Sequence, residues 1–143
     1  MNIIKRLVIS KIQKPMIRIK SNPRNISMIE GFMKSIMLRY NLSSDQYANM
    51  LISTTEAVNN AIIHGNKNDE NKFVKLDLIK QKNRLCIKVS DEGTGFDLDS
   101  LQDPTCIDKI SCEGGRGVFI MQQLADYICY HNDGRTVEMH FNL

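Results

Sequence analysis

Apolar residues along this 143-residue chain follow two rhythms, and the change from one to the other divides it. From Asn25 to Tyr40, apolar side chains recur at Ile26, Ile29, Met33, Ile36 and Tyr40, a helical stripe that core packing accounts for. A second helix is predicted from about Asp45 to His64. Ser43 and Gln46 form its capping box, Leu42 and Tyr47 its hydrophobic staple, and Gly65 is placed to end it as a C′ residue. Leu51, Val58, Ala61 and Ile62 fall on or near one face of this helix. Further on the period is two. Val74, Leu76 and Leu78 alternate with Lys75 and Asp77, and Leu85, Ile87 and Val89 repeat the pattern after a Gln81–Arg84 turn. That is an antiparallel hairpin with one buried face. Val137, Met139, Phe141 and Leu143 alternate with Thr136, Glu138, His140 and Asn142, and an Asn132-Asp-Gly134 turn separates them from a partner strand at Tyr127–Tyr130.

Two stretches are less regular. Ile17 and Ile19, between Arg18 and Lys20, predict a strand before Pro23, while the rest of residues 3–20 reads equally well as a short helix or as strands. Asp97 to Gly115 has little pattern and is too long for a tight turn. A helical pattern follows it at Val118, Met121, Leu124 and Ala125. The order is strand, helix, helix, hairpin, loop, helix, hairpin. It predicts an α+β two-layer sandwich, with a mixed, mostly antiparallel sheet and its helices on one face. One domain is expected over residues 1–143, with residues 1–14 as an extra N-terminal strand or a dimerisation segment.

Composition adds little except in the distribution of charge. The net charge is +3, but residues 1–24 hold seven basic groups and no acid, so the other 119 residues carry 12 basic and 16 acidic groups. The basic segment has no aromatic residue to stack on bases. An edge strand guarded by basic side chains explains it better than nucleic-acid binding does. No apolar run approaches the ~18–20 residues of a membrane span, and no signal peptide is evident, so a cytoplasmic protein is expected. Cys86, Cys106, Cys112 and Cys129 are expected as reduced thiols; none stands at C-x-x-C spacing and no His pair completes a zinc pattern.

Three polar stations carry the candidate chemistry. On the second helix Glu56, Asn60 and His64 step along one face at i, i+4 and i+8, where a surface helix would ordinarily place Lys and Glu. The second station is Asp91-Glu-Gly-Thr-Gly-Phe96, at the exit of a predicted strand. Its glycines permit left-handed turns and close approach, and its aspartate can accept a hydrogen bond from a ligand. The third is Gly114-Gly-Arg-Gly117 opening a helix, where backbone N–H groups and the macrodipole favour a phosphate. It fits neither the P-loop nor the full dinucleotide-binding fingerprint.

Taken together the stations resemble the GHKL (Bergerat-fold) ATP-binding family of gyrase, the ninety-kilodalton heat-shock chaperone, histidine kinases and MutL. Glu56…Asn60 is similar to its N box, Asp91-x-Gly93-x-Gly95 to its first glycine box, Gly115-x-Gly117 to its second, and Gly134-Arg-Thr136 to the Gly-x-Thr that ends many members. Within the family, Glu-Ala-Val-x-Asn-Ala-Ile-x-His-Gly is most similar to the small anti-sigma-factor serine kinases of the RsbW type. The resemblance implies that Asn60 is the protein ligand to Mg²⁺, a role a neutral amide oxygen suits. Asp91 would accept from the adenine amine, selecting ATP over GTP. Gly93 and Gly95 would let the backbone pass the base, and Thr136 would support Asp91 and the adenine. Gly114, Gly115, Arg116 and Gly117 would border the phosphates, with Asp97–Glu113 as the moving part of a lid. Glu56 would be the general base, activating a protein serine or a water, and His64 a helix-end residue. One departure stands out: some sporulation-type members carry Arg just before the second glycine box, where this chain has Glu113. The implied partners are a sigma factor or similar client and a small STAS-like antagonist protein, with a homodimer formed through residues 3–20 and no direct contact with membrane or nucleic acid. The alternatives are a non-catalytic ATP-binding module that captures a partner, and a free-standing histidine-kinase-like ATPase domain.

Overall fold

The computed structural model describes residues 14–94 and 113–143, with only the backbone of residues 113–118. The chain enters through β1 (Met16–Lys20), makes a 3₁₀ turn at Pro23–Ile26, and continues into α1 (Ser27–Tyr40) and α2 (Ser44–Asn60). The hairpin β2 (Phe73–Gln81) and β3 (Arg84–Ser90) follows, then α3 (Glu113–Leu124) and the hairpin β4 (Tyr127–His131) and β5 (Thr136–Asn142). The strands form one sheet in the order β1-β2-β3-β5-β4. Every described pairing is antiparallel, so no parallel pair of the expected mixed sheet occurs among the described residues.

Period-two alternation decides which face meets the helices. Register sets Ile19 beside Val74, Leu76 beside Val89, and Ile87 beside Met139. All of these are buried, together with Ile29, Met33 and Ile36 of α1 and Met50, Ala57 and Val58 of α2. Residues one step out of phase, such as Arg18, Lys75 and Lys88, line the other face. β1 is an edge, and its Arg18 and Lys20 are exposed, the basic guard that discourages edge-to-edge pairing. The Arg18 guanidinium also lies 4.3 Å from the centre of the Phe73 ring.

Local chemistry explains where α1 and α2 start and stop. Asn41, at φ 52°, closes α1 in the left-handed conformation. The capping box of α2 is formed in full: Gln46 N–H donates to Ser43 Oγ (3.1 Å) and Ser43 N–H to Gln46 Oε1 (2.8 Å). The far end of α2 departs from expectation. The helix widens into a π turn over Ala61–Gly65, in which Asn66 N–H reaches back five residues to Ala61 O (2.8 Å). Gly65 is therefore not a left-handed C′ residue; it lies inside the turn, and Asn66 caps it with φ −85°.

Candidate functional site

The widened end of α2 meets the end of β3. A Cβ built on Gly65 would lie 2.5 Å from Asp91 Cγ and within 3 Å of both carboxylate oxygens. A Cβ on Gly93 would lie 2.6 Å from the carbonyl carbon of Gly65. Neither position has room for a side chain, and for Gly93 the obstacle is backbone, which cannot swing aside. These two glycines are selected by close approach. The π turn is what brings Gly65 beneath the carboxylate, and such single wide turns are frequent at functional sites.

Asp91 is held from several directions. Its N–H donates to Arg135 O (2.9 Å), carrying the β3–β5 ladder one residue past the strand end. Its Oδ1 accepts from Gly93 N–H (2.8 Å). Burial pushes its carboxyl pKa up, opposed by that N–H and by the charges of Arg135 and Lys72. One oxygen of this half-buried carboxylate is thus occupied, and the other has no hydrogen-bond partner among the described residues, an arrangement that suits an acceptor for a ligand amine.

Asn66 ties the surrounding segments together. Fully buried, it donates through Nδ2 to Ser21 Oγ (2.7 Å) and Phe73 O (3.0 Å), and its Oδ1 accepts from Glu92 N–H (2.8 Å). Glu92 in turn accepts from Phe73 N–H (2.5 Å) through Oε2. The turn after β3 is thereby clamped to the start of β2 and the end of β1. Its partners lie 45, 7 and 26 residues away, so no local pattern in the sequence reports this role.

Glu56 and Asn60 are half-buried on α2, four residues apart and so one turn from each other on the same face. Neither side chain has a hydrogen-bond or ion-pair partner among the described residues. Asn60 immediately precedes the π turn that ends at Gly65. One helical turn thus separates it from the glycine against which Asp91 packs. The wide turn also breaks the i, i+4 step after Asn60, and His64 is exposed. Thr136, buried at the start of β5, pairs with Ser90: its hydroxyl donates to Ser90 Oγ (3.1 Å) and accepts from Asn132 Nδ2 (3.2 Å). By alternation these hydroxyls share the sheet face away from the helices. Gly114, Gly115, Arg116 and Gly117 occupy the first turn of α3, and α3 packs along α2. Gly95 and the expected lid from Asp97 to Ser111 and Cys112 lie outside the described residues.

The arrangement sets a carboxylate and an amide on α2, the amide one turn before the glycine on which a half-buried aspartate packs. Residues 19–141 match the Histidine kinase-like ATPase domain family. The chain belongs to this family. Among curated relatives it is 29% identical over 130 residues to the serine-protein kinase RsbW of Bacillus subtilis, covering 85% of this chain and 81% of the relative. RsbW of Bacillus velezensis is 30% identical over 131 residues with the same coverage, and that of Listeria monocytogenes (strain EGD-e) 24% identical over 130 residues, covering 86% and 83%. The resemblance to the RsbW-type branch of the GHKL superfamily therefore holds across most of the chain. Within this family of ATPase-like domains, the described residues include no helix long and apolar enough to cross a membrane.

Proposed function

We propose that this chain is an ATP-binding serine/threonine protein kinase of the anti-sigma type, which sequesters a sigma factor or similar client and phosphorylates a small antagonist protein. The observation that carries the reading is Asp91, raised in pKa by burial, held by Gly93 N–H and packed on Gly65 at the end of the helix that bears Glu56 and Asn60. Asp91 accepts from the exocyclic amine of adenine and rejects guanine, whose carbonyl at that position would face a second acceptor. Asn60 supplies one oxygen to Mg²⁺, a hard cation that keeps waters and phosphate oxygens as its other ligands. ATP provides the transferable phosphoryl group and Mg²⁺ offsets its charge. Glu56, one turn before Asn60, takes the proton of the attacking serine hydroxyl. The backbone of Gly93, Gly95 and Gly114–Gly117 borders base and phosphates, Arg116 supplies a positive charge within that run, and Thr136 steadies Asp91 through the Ser90 pair and the ladder beside it. The client and a STAS-like antagonist are protein partners, and the kinase acts as a cytoplasmic homodimer.

Labelled ATP, Mg²⁺ and a serine-bearing antagonist test the proposal. Transfer to serine is expected, falling at least about 100-fold in Glu56→Gln while ATP binding persists. Absence of transfer, or a Glu56→Gln variant as active as the parent, would overturn the kinase reading. A second reading rests on Glu113, which places an acid at the first residue of α3 where an arginine would favour phosphate. In it, ATP is held without turnover and partner capture is the whole function. Tight ATP binding with an unphosphorylated partner would favour it.

A further inference from the structure

The other face of the same sheet carries a cluster that the nucleotide reading does not use. Cys86 and His140 are direct cross-strand partners on β3 and β5, and Glu138 precedes His140 by two residues, on the same face. We propose that Cys86, Glu138 and His140 form a binding site for a zinc-like divalent transition metal, with solvent in the fourth position. The sulfur, a carboxylate oxygen and a ring nitrogen all lie within 4.8 Å of one another. A tetrahedral zinc needs such atoms about 3.3–3.7 Å apart, given bonds of about 2.3 Å to sulfur and about 2.0 Å to nitrogen. The donors are already gathered within 4.8 Å; the Glu138–His140 pair, at 2.8 Å, opens by about 0.5 Å to admit the ion while the cluster closes around it. Thiolate and imidazole select zinc or cobalt over magnesium. Cys86 is five residues from Asp91 along β3, roughly 16 Å, and faces the other side of the sheet, so this site is separate from the one proposed for the nucleotide.

The surroundings are those of a supported metal site. Cys86 and His140 are buried at 1% and 6% exposure. Glu138 Oε1 holds His140 Nε2 (2.8 Å), and Oε2 holds His131 Nε2 (2.7 Å), so His131 orients the carboxylate from outside the ligand set. The Tyr127 ring packs edge-on against His140, 5.4 Å between centres. Without metal the cysteine is a thiol: burial, then the Glu138 charge and hydrogen bond, push its pKa up to about 12. Metal binding displaces that proton to solvent. It also moves the remaining imidazole proton of His140 from Nε2 to Nδ1. Arg84 Nη1 lies 3.4 Å from Nδ1, a long contact from an exposed side chain that turns away when Nδ1 becomes a donor. Lys88, 3.7 Å from Glu138 Oε2, opposes the incoming cation and afterwards offsets the new thiolate charge.

Cobalt(II), then zinc, added to the tag-free, metal-stripped full chain under a non-thiol reductant tests this. One cobalt per chain is expected, with a thiolate-to-metal charge-transfer band in the near ultraviolet, its displacement by zinc, and release of about one proton. Saturating zinc should raise the thermal midpoint by roughly 5 °C. Cys86→Ser, Glu138→Gln and His140→Gln should each lose the band, whereas Cys129→Ser and the double replacement of Cys106 and Cys112 by Ser keep it. Should Cys86→Ser fail to fold, Glu138→Gln and His140→Gln carry the test. No charge-transfer band in the parent, or a band that survives Cys86→Ser or His140→Gln, would overturn the proposal.

Discussion

Asp91 shows at the scale of one side chain how a half-buried carboxylate costs the folded protein stability. Burial raises its folded pKa above the ordinary 3.8 of an aspartate, so its ionised form is disfavoured by folding. The sign follows from linkage: this cost is absent below the unfolded pKa and is imposed as pH rises through the raised folded value. Asp91→Asn retains an oxygen for Gly93 N–H and removes the charge. The variant is expected to unfold at higher urea than the parent at pH 7, with the difference shrinking toward pH 3, while ATP binding weakens. A parent and variant with the same midpoint at pH 7 would show that burial does not strain this carboxylate. Gly65 carries the matching steric prediction. Gly65→Ala drives a methyl into Asp91, and overpacking of this kind costs about 1–3 kcal/mol. Gly93→Ala meets the Gly65 backbone and should cost at least as much, measured as the shift in urea midpoint. Gly65 was visible in the sequence as a helix terminator, yet its reason for being glycine is an aspartate 26 positions later. No local pattern reports that.

Elements were legible where one face is buried against the sheet. The period of two in Val74–Leu78, Leu85–Val89 and Val137–Phe141, and the helical stripe of α1, each follow from burial of a single face, and the capping box at Ser43 and Gln46 fixed the start of α2. The π turn was not legible, because Ala61–Gly65 has ordinary helical composition and the group packed on Gly65 lies 26 positions later at Asp91. Asn66 belongs to the same class. Removing its amide leaves Phe73 O and Glu92 N–H without their side-chain partner and loosens Ser21, in a fully buried position. Asn66→Ala should therefore cost about 2–3 kcal/mol in a urea titration. It should also weaken ATP binding, since the turn that carries Glu92 and Gly93 loses its clamp. A surface connection, by contrast, would tolerate this change within about 0.5 kcal/mol. Cys86 and His140 repeat the lesson on the other face: the cysteine spacing shows no zinc pattern, and only the β3–β5 register sets the two side by side.

For the whole molecule, the candidate nucleotide groups sit on three separate segments: the end of α2, the turn after β3 and the first turn of α3, which packs along α2. A ligand that engages all three must couple their unfolding, because it binds the folded arrangement and not the open chain. With ATP and Mg²⁺ at about 100 times the dissociation constant, stability should rise by about 2.7 kcal/mol. For a domain of this size that is roughly 5–10 °C in the thermal midpoint. GTP at the same concentration should give little shift, because on the proposed reading Asp91 would meet a carbonyl in place of an amine. Asn60→Ala should retain the smaller shift produced by ATP alone and lose the increment that Mg²⁺ adds, whereas Asp91→Asn should reduce the shift with and without the metal. Glu113→Arg removes an acid from the first residue of α3 and should enlarge the ATP shift while leaving the nucleotide-free midpoint within about 2 °C, because the change is confined to a helix end. Equal shifts with ATP and GTP in the parent would separate Asp91 from base recognition. An Asn60→Ala variant with an undiminished Mg²⁺ increment would remove the amide from the metal, and the two variants together distinguish a site built on these three segments from nucleotide bound elsewhere on the fold.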